Sequence, residues 1–462
     1  MGDIYHLQTE RLPNNCKNQL TMLIFSQQSD IILNNNVNKR KKSMKKYTNL
    51  LLVLLLILSC FITSCSKSSP DDNVVKNADG EVIEIPVAIP EEEAMIETEP
   101  EEPKEPEEEI IEYRTSFIGV GDNIIYGTKE ARIKAVEGGR QYNYKPYYDG
   151  VSDIIRDADI AFINQETVMC GEGYSLSYYP MFNSPQELGY DLVELGFDVV
   201  NIANNHMLDK GADGLSKTIS FWKSFDDIVM TGGYENMEDY DNLRYYEKDG
   251  LKIAFLSYAE MTNGLVKSAS SDIVIPYLNE EDIIRQTAIA KENADLTFVS
   301  VHWGEEGAFE PNDNQKYYAN LFADCGVDVI LGHHPHVIQP VEWLTSGDGH
   351  KTLCVYSLGN FMAQQAYDYN MVGGIISFDI VHSKATSPFI ENVVFNPTVF
   401  HFNSAFVNNN VYLFENYPPE NASLHGVRGY YGHNFSYDRL LGYITNTIDP
   451  AFLPEFFKEM AE

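Results

Sequence analysis

From about residue 113 to residue 462 the sequence predicts a layered α/β domain. Strand-like and helix-like stretches alternate along this part of the chain, which is typical of α/β proteins. Hydrophobic residues make up 44% of the sequence and aromatic residues 12%, enough for a large core. Five polar motifs each follow or end a short apolar run. Because ligands of open α/β sheets bind outside the carboxyl ends of the strands, we expect these motifs to form one site.

The predicted strands are short apolar runs, and helix-like stretches separate many of them. The strand-like runs lie at 116–120, 160–164, 198–203, 252–258, 296–301, 327–331, 353–357 and 375–381. The helix-like stretches lie at 151–157, 185–195, 213–224, 280–291 and 312–324. Beyond about residue 390 two more β-like runs, 392–395 and 398–402, precede a stretch rich in Tyr, Asn and Gly.

The beginning of the chain is typical of a targeting segment. Met44-Lys45-Lys46 is followed by an unbroken apolar run over 50–58 and then by Ile62-Thr63-Ser64-Cys65. This run is too short for a spanning helix, which needs about 20 apolar residues, so we interpret 44–65 as a secretory signal. Its end resembles the lipobox of bacterial lipoproteins, in which the cysteine, here Cys65, is acylated. Met44 is the predicted start, and 1–43 a non-native or disordered extension.

A retained, uncleaved anchor is the alternative for this segment. In either case the domain is expected to be tethered outside the membrane, lipid-anchored at the surface of a bacterial cell. Residues 66–112 then carry seventeen Asp and Glu against three Lys, interspersed with proline. Such a composition predicts a disordered linker, because it cannot bury enough apolar surface to fold and its like charges extend it.

The charge of the chain argues against nucleic acid as a partner. The formal net charge is -35, and residues 1–64 contribute a net +5 from eight Lys and Arg against three Asp and Glu, so the remainder sums to -40. A polyanion repels DNA and RNA. Any anionic substrate would have to be attracted locally, by metal ions.

The six cysteines indicate no disulfide framework. Their spacings are scattered and no CxxC pair occurs. Cys325 and Cys354 lie in apolar runs and are expected to be buried as small hydrophobic side chains.

Two carboxylate motifs end the first two predicted strands. Gly121-Asp122 follows the first run, where the glycine permits a sharp turn; a turn or helix cap is the alternative role for this aspartate. Asn164-Gln165-Glu166 ends the second run. Residues two apart on a strand share a face, so Asn164 and Glu166 can point at one site. A polar strand end is the alternative.

The remaining three motifs contain histidines. Asn204-Asn205-His206, with Asp209 three residues later, offers an amide oxygen and an imidazole; an Asx turn is the alternative. His302 ends a strand-like run in a His-Trp-Gly-Glu-Glu sequence, and Glu306 can orient an imidazole or remain solvated. The most specific motif is Gly-His-His-Pro-His over 332–336, because imidazoles at this spacing suit a transition metal.

Taken together with Tyr-Ser-Leu-Gly-Asn-Phe at 356–361, the order and spacing of these motifs closely resemble the bacterial poly-γ-glutamate capsule-synthesis (CapA-type) family. The resemblance spans roughly residues 115–382. That family is similar to the calcineurin-like metallophosphoesterases. The resemblance therefore implies a four-layer α/β/β/α sandwich of metallophosphoesterase type, with the metal site at the C-terminal edges of the strands.

The resemblance also implies residue roles. His206 corresponds to the catalytic imidazole that protonates a leaving group. The implied metal ligands are Asp122, Glu166, Asn205, His302, His334 and His336. Residues expected to support them are Asn164, Asp209, Glu306 and Asn360. The chain departs from the superfamily pattern at Ile124, where a histidine is usual, and in having glutamate in place of the bridging aspartate.

The function that the resemblance implies is the biosynthesis, export or trimming of poly-γ-glutamate capsule or a related surface polymer. The protein would be a metal-dependent hydrolase with one or two divalent ions, Mn, Fe or Zn. The alternative is a non-catalytic assembly or polymer-binding subunit that keeps a structural metal site. Expected partners are the anionic polymer, the membrane through a lipid anchor, and other capsule-synthesis subunits.

Overall fold

The computed structural model describes residues 111–132 and 139–460. The predicted extension 1–43, the signal 44–65 with Cys65, and the linker 66–112 apart from its last two residues lie outside this described part. Among the described helices, none combines the length and the apolar character needed to cross a membrane.

The described residues contain fourteen strands, ten α-helices and four short 3₁₀ segments. The strands β1–β14 are Tyr113–Asn123, Ile160–Gln165, Val199–Asn201, Val229–Thr231, Arg244–Lys248, Leu251–Ala259, Leu296–His302, Val329–His333, Val341–Thr345, Lys351–Val355, Asn360–Met362, Val372–His382, Phe389–His401 and Asn410–Leu413. The helices α1–α10 are Ser152–Arg156, Gln186–Leu195, Gly211–Trp222, Met237–Asp241, Glu280–Asn293, Asp313–Asp324, Asn421–Leu424, Gly426–Gly429, Tyr437–Thr447 and Glu455–Glu459. The 3₁₀ segments are Lys145–Tyr148, Asp368–Met371, Phe414–Asn416 and Pro450–Phe452.

Two sheets organise the described part of the chain. The first has eight strands in the order β14-β13-β12-β1-β2-β3-β4, with β11 pairing with β1, and the second has six in the order β5-β6-β7-β8-β10-β9. Strands β1 to β4 are parallel to one another, as are β6, β7, β8 and β10. Strands β2, β7 and β8 are buried along their whole length, as expected for parallel strands covered on both faces.

The two sheets pack face to face with helices outside them. Across the interface the ring centroids of Phe117 and Phe298 lie 5.2 Å apart, and those of Phe162 and Phe255 lie 6.4 Å apart. Buried residues of α5 and α6 pack in one cluster with β6 and β7 of the second sheet. Buried residues of α2 and α3 pack in the same core as β2 and β3 of the first sheet. The predicted α/β/β/α layering is therefore confirmed.

The main differences from the predicted elements lie at the sheet edges and strand ends. The edge strands β5, β9 and β14 were not predicted, because half-exposed strands carry polar residues that interrupt the apolar signal. Strand β8 runs to His333, two residues beyond the predicted end, so the first histidine of its motif lies within the sheet. Cys354 is buried as expected, whereas Cys325, which follows α6, is partly exposed.

Two buried histidines of the C-terminal part should make the protein sensitive to acid. Burial lowers the pKa of His401 to about 4 and that of His425 to about 3. A buried imidazole with a lowered pKa must gain a proton on unfolding once the pH falls below about 6.5, so stability is lost as the pH falls toward the folded-state pKa. A difference of one in pKa between the folded and unfolded states corresponds to about 1.4 kcal/mol. Protonation of His401 in the unfolded state should therefore lower the free energy of unfolding by about 3 kcal/mol between pH 6.5 and pH 4.

Urea unfolding at pH 7 and pH 4.5, with chelator present so that metal release does not contribute, measures this loss. The matched variant is His401→Gln, whose amide can still bond to the Tyr417 hydroxyl that now lies 3.0 Å from His401 Nδ1. The variant should lose clearly less stability on acidification than the wild type. Equal losses in the two proteins would contradict the prediction.

Candidate metal centre

The predicted site residues converge where the parallel strands end. Asp122 lies near the end of β1 and Glu166 directly after β2; in the parallel pair of β1 and β2, Asp122 lies opposite Asn164. His302 ends β7 opposite His333, the last residue of β8. Asn205 and His206 follow β3, His334 and His336 follow β8, and Asn360 begins β11. Strand ends from both sheets therefore contribute to one buried cluster.

Asp122 is held by hydrogen bonds from both sheets. Its Oδ1 accepts from Asn164 Nδ2 at 2.7 Å, and its Oδ2 accepts from His336 Nδ1 at 3.0 Å and from the backbone N–H of His334 at 3.2 Å. Burial raises the pKa of Asp122, but the neighbouring His333 and His336 imidazoles outweigh it and hold the pKa well below its usual range. Asp122 is therefore fixed as a carboxylate.

A chain of amides positions this carboxylate from the first sheet. Asn201 Nδ2 donates to Asn164 Oδ1 at 2.7 Å, and Asn164 in turn donates to Asp122. All three side chains are fully buried. These hydrogen bonds fix the orientation of Asp122 through Asn164.

Replacing Asn164 by leucine should therefore weaken metal binding without removing a ligand. Loss of a group that orients a ligand lowers metal affinity by about 10–100-fold. Asp122 Oδ1 would lose its donor, which should also lower the free energy of unfolding by about 1–3 kcal/mol, whereas Asn201 Nδ2 keeps its bond to Ala203 O. Competition with a fluorescent chelator measures the affinity. Asn320→Leu, on the exposed surface of α6, is the control, and unchanged affinity in Asn164→Leu would exclude the positioning role.

Glu166 is a buried carboxylate without a hydrogen-bond partner at either oxygen among the described residues. Its Oε1 lies 3.6 Å from His302 Nε2 and 3.7 Å from His336 Nε2, too far for good hydrogen bonds. Burial and the negative charge of Asp122 raise its pKa well above the usual range. A carboxylate in this state is suited to a bound cation, which would supply the missing partner.

Three overlapping groups of donors could hold metal ions. Within each group the donor atoms lie within 4.8 Å of one another. Glu166 belongs to two of them, which suits the bridging position implied for it by the family resemblance. The groups are Glu166 with His302 and His334, Asp122 with Glu166 and His336, and Glu306 with His334 and His336.

The imidazoles near Glu166 are suited to bind metal in their neutral form. Burial, together with the neighbouring imidazoles, lowers the pKa of His302 well below its usual range and that of His334 to about 3. The Nδ1 atoms of both residues lack a hydrogen-bond partner in the described part of the chain. His302 Nε2 lies 3.1 Å from Asn205 Oδ1, so the amide oxygen implied as a ligand faces the same centre. This set of oxygen and imidazole donors fits a divalent transition metal.

The turn after β8 has a strained backbone at two histidines of the donor groups. His334 and His336 have φ of 97° and 54°, a conformation that costs energy for residues other than glycine. Pro335 separates them and stiffens the turn. Such strain persists only where the surroundings impose it, and here it brings both imidazoles to the donor groups.

His206 lies beside the donor groups and belongs to none of the three found in the described residues. Its Nδ1 lies 2.9 Å from Asp209 Oδ2, and the ring of Phe182 contacts it edge-on at 4.7 Å between centroids. Asp209 Oδ2 also accepts the backbone N–H of Phe182 at 2.6 Å, which fixes the carboxylate. The imidazole is therefore oriented by a carboxylate, as in general acid–base pairs.

Three site residues show features that the sequence did not predict. His333, for which no role was predicted, is fully buried, stacks on Phe162 and has Nδ1 3.5 Å from Asp122 Oδ1. Glu306, expected to orient a ligand, is exposed yet close enough to two imidazoles to be a candidate ligand. Asn360 donates to Asn370 O at 2.9 Å and has no partner at Oδ1 within the described residues.

A profile of the family described as "Bacterial capsule synthesis protein PGA_cap" matches residues 116–365, more than half of the chain. The chain belongs to this family. The matched range contains all the predicted metal-site residues, so the capsule-synthesis resemblance seen in the motifs is confirmed.

Two similar relatives of this family come from Bacillus. "Capsule biosynthesis protein CapA" of Bacillus anthracis is 34% identical over 194 residues, which cover 40% of this chain and 45% of that protein. "PGA biosynthesis protein CapA" of Bacillus subtilis is 30% identical over 190 residues, 41% of this chain and 48% of that protein. The chain thus spans slightly less than half the length of these relatives.

Two solved structures show partial similarity to the backbone of this chain. Haemophilus influenzae NAD nucleotidase is similar over 74% of this chain and 64% of its own, with 12% identity and a TM-score of 0.40. The calcineurin-like phosphoesterase YfkN of Bacillus subtilis is similar over 62% of this chain and 91% of its own, with 11% identity and a TM-score of 0.36.

Proposed function

We propose that this protein is a divalent-metal-dependent hydrolase that acts on a capsular or related surface polymer. The observation that carries the proposal is Glu166, a fully buried carboxylate next to three buried histidines, neither of whose oxygens has a hydrogen-bond partner in the described part of the chain. The names of the Bacillus relatives, which refer to capsule and PGA biosynthesis, support the polymer pathway.

The site residues have two roles in the proposed hydrolysis: some would bind metal, and one would donate a proton. Glu166, Asp122, Asn205 and the histidines at 302, 334 and 336 would hold the ions, with Glu306 as a further candidate. A bound metal would polarise the scissile group and supply a nucleophilic water at neutral pH. His206, oriented by Asp209 through Nδ1, holds a proton at Nε2 for the departing oxygen or nitrogen.

Metal analysis of the purified full-length chain, combined with assays on three substrate classes, tests the proposal. The wild type should contain at least one equivalent of Mn, Fe or Zn, and His334→Ala should contain clearly less, because an imidazole donor is lost. One of the phosphodiester, phosphomonoester or γ-glutamyl substrates should be cleaved, with chelator abolishing cleavage. A wild type without bound metal, or with metal but inert toward all three classes, would sink the proposal.

The second candidate function is a non-catalytic assembly or polymer-binding subunit with a structural metal. Ile124 favours it, because an apolar side chain buried beside Phe182 and Ala363 stands where the superfamily pattern has a histidine. The buried pair of His206 and Asp209 favours the enzyme, since a structural site needs ligands but no separate proton donor. Normal surface polymer in cells that carry His206→Ala would favour the subunit.

We further propose that the protein is a lipoprotein outside the bacterial membrane, acylated at Cys65. The motivation is the succession of Lys-Lys, the Leu-rich run and Ile-Thr-Ser-Cys. Mass spectrometry of the membrane fraction should detect a diacylglyceryl peptide that begins at Cys65. Cys65→Ala should abolish this modification, and Cys60→Ala, a nearby cysteine outside the lipobox-like sequence, is the control. A wild-type protein recovered without lipid would contradict the proposal.

A further inference from the structure

Two adjoining cavities lie beside the metal centre. The first, of about 370 Å³, is lined by His336 and Glu306 at the metal end. The second, of about 450 Å³, shares three lining residues with it: Tyr126, Gln364 and Tyr431. The shared residues show that the two cavities adjoin, and each is within the size range of ligand sites. We call this pair of cavities the aromatic groove.

Tyrosines and amides dominate the lining of the aromatic groove. The tyrosines that line the first cavity are Tyr126, Tyr179, Tyr367, Tyr369 and Tyr431. Tyr179 is 73% exposed, and its ring lies 6.5 Å from that of Phe182 at a steep interplanar angle of 70°. Exposed aromatic rings concentrated in one groove indicate a binding surface. Gln364 and Asn370 already donate through their amide nitrogens to Asn409 and His336, and Gln365 Oε1 accepts from Asn360. The oxygens of Gln364 and Asn370 and the nitrogen of Gln365 are the amide atoms with hydrogen-bonding capacity left for a ligand.

The charge of the lining does not suit a polyanion. Among the residues that line the two cavities, Lys129 is the one lysine or arginine, and its Nζ already donates to the backbone carbonyl of Ala405 at 2.8 Å. Glu306 adds a carboxylate at the metal end. Recognition of a carboxylate polymer uses arginine or lysine at regular intervals, which this lining lacks.

The far wall of the aromatic groove is built by the C-terminal part of the chain. His433 Nδ1 lies 3.0 Å from Ala366 O, and its ring stacks on Tyr367 with centroids 4.7 Å apart. Arg439 Nε donates to Asp368 Oδ2 at 2.5 Å, and Tyr431 OH donates to Gln364 O at 3.3 Å. These bonds fix residues 364–371, so the wall has a defined shape.

We propose that the aromatic groove binds an uncharged sugar chain. The C–H face of a sugar ring would pack on the exposed ring of Tyr179, hydroxyl groups would pair with the side-chain amides, and no cation is required. The ring of Tyr367 is already stacked on Tyr369 and His433 and would form part of the wall. Two adjoining cavities provide room for more than one sugar unit. Binding of the sugar along the tyrosines needs no metal. The inference therefore rests on the proposed function only for the cleavage of the bound sugar at the metal centre.

Isothermal titration calorimetry of the full-length chain, with chelator and at about physiological ionic strength, tests the proposal. The probes are chitohexaose, maltohexaose, a poly-γ-glutamate oligomer and adenosine monophosphate. At least one hexaose should bind, and Tyr179→Ala should weaken it about tenfold because a stacking surface is lost. Tyr179→Phe keeps the ring and should bind like the wild type. Tyr317→Ala, a 51% exposed tyrosine on α6, is the control and should also bind normally.

Several results would overturn the sugar assignment. Absence of binding by both hexaoses, or binding that Tyr179→Ala leaves unchanged, would do so. Binding of the poly-γ-glutamate oligomer in preference to the sugars would assign the aromatic groove to the anionic polymer, and binding of adenosine monophosphate alone would assign it to a nucleobase. Metal content and hydrolysis, measured on the same preparations, report separately on the proposed function, and circular dichroism shows that each variant is folded.

Discussion

Replacing His206 by alanine is expected to leave the metal content of the protein unchanged while lowering hydrolytic turnover by about 10²–10⁴-fold, the usual contribution of a positioned general acid. The reason is geometric. His206 belongs to none of the three donor groups in the described residues, and its Nδ1 is taken by Asp209. Removal of the imidazole therefore takes away a proton donor and no metal ligand. Elemental analysis and turnover on the substrate cleaved best are the two measurements.

Two further variants separate this role from a loss of structure. Asp209→Asn keeps the shape of the supporting residue and should lower turnover less than His206→Ala, because the imidazole remains. It should also leave the metal in place. A substrate with a leaving group of low pKa, such as a nitrophenolate, should be affected least by His206→Ala, since such a group departs without a proton. If His206→Ala lost its metal, the residue would be a ligand and the assignment as proton donor would fail.

Glu166→Gln is expected to weaken metal binding and to stabilise the metal-free protein. The variant should lose most of its bound metal, because the carboxylate shared by two donor groups is gone. The metal-free variant, however, should be more stable than the metal-free wild type, by about 1–2 kcal/mol. The neutral amide removes a buried negative charge that Asp122 repels and that has no hydrogen-bond donor among the described residues.

Metal analysis and urea unfolding in the presence of chelator measure the two effects. Glu305→Gln, at an exposed carboxylate next to the site, is the matched control and should change neither quantity. A metal-free Glu166→Gln protein less stable than the wild type would mean that the Glu166 carboxylate stabilises the fold through contacts of its own. The cation-site interpretation of Glu166 would then be wrong.

Much of the fold and of the candidate site followed from local sequence. The parallel strands β2, β7 and β8 are continuous apolar runs, and such runs are recognisable because both of their faces are buried. The polar motifs end these runs, so their convergence at one edge was predictable from the rule for open α/β sheets. Asn164 was expected beside Glu166 at a strand end, and the structure adds its hydrogen bond to Asp122.

What could not be predicted depends on contacts between distant parts of the chain. Glu306 is exposed, and only the strained turn after β8 brings imidazoles near it. His333 becomes internal because β8 continues two residues further and stacks it on Phe162 of the other sheet. The aromatic groove requires that His433 and Arg439 fold back onto residues 364–371, and no periodicity in the sequence indicates such a return.

The placement of the candidate ligands on both sheets makes a bound metal a cross-link. Asp122 and His336 are 214 residues apart in sequence, and they meet where the two sheets join. Separating the sheets would break the coordination, so an ion bound there stabilises the assembled sandwich by an amount that grows with the logarithm of free metal concentration. Chelation should therefore lower the unfolding temperature of the whole domain. The concentration of free metal ions around the protein would then determine how much of it remains folded.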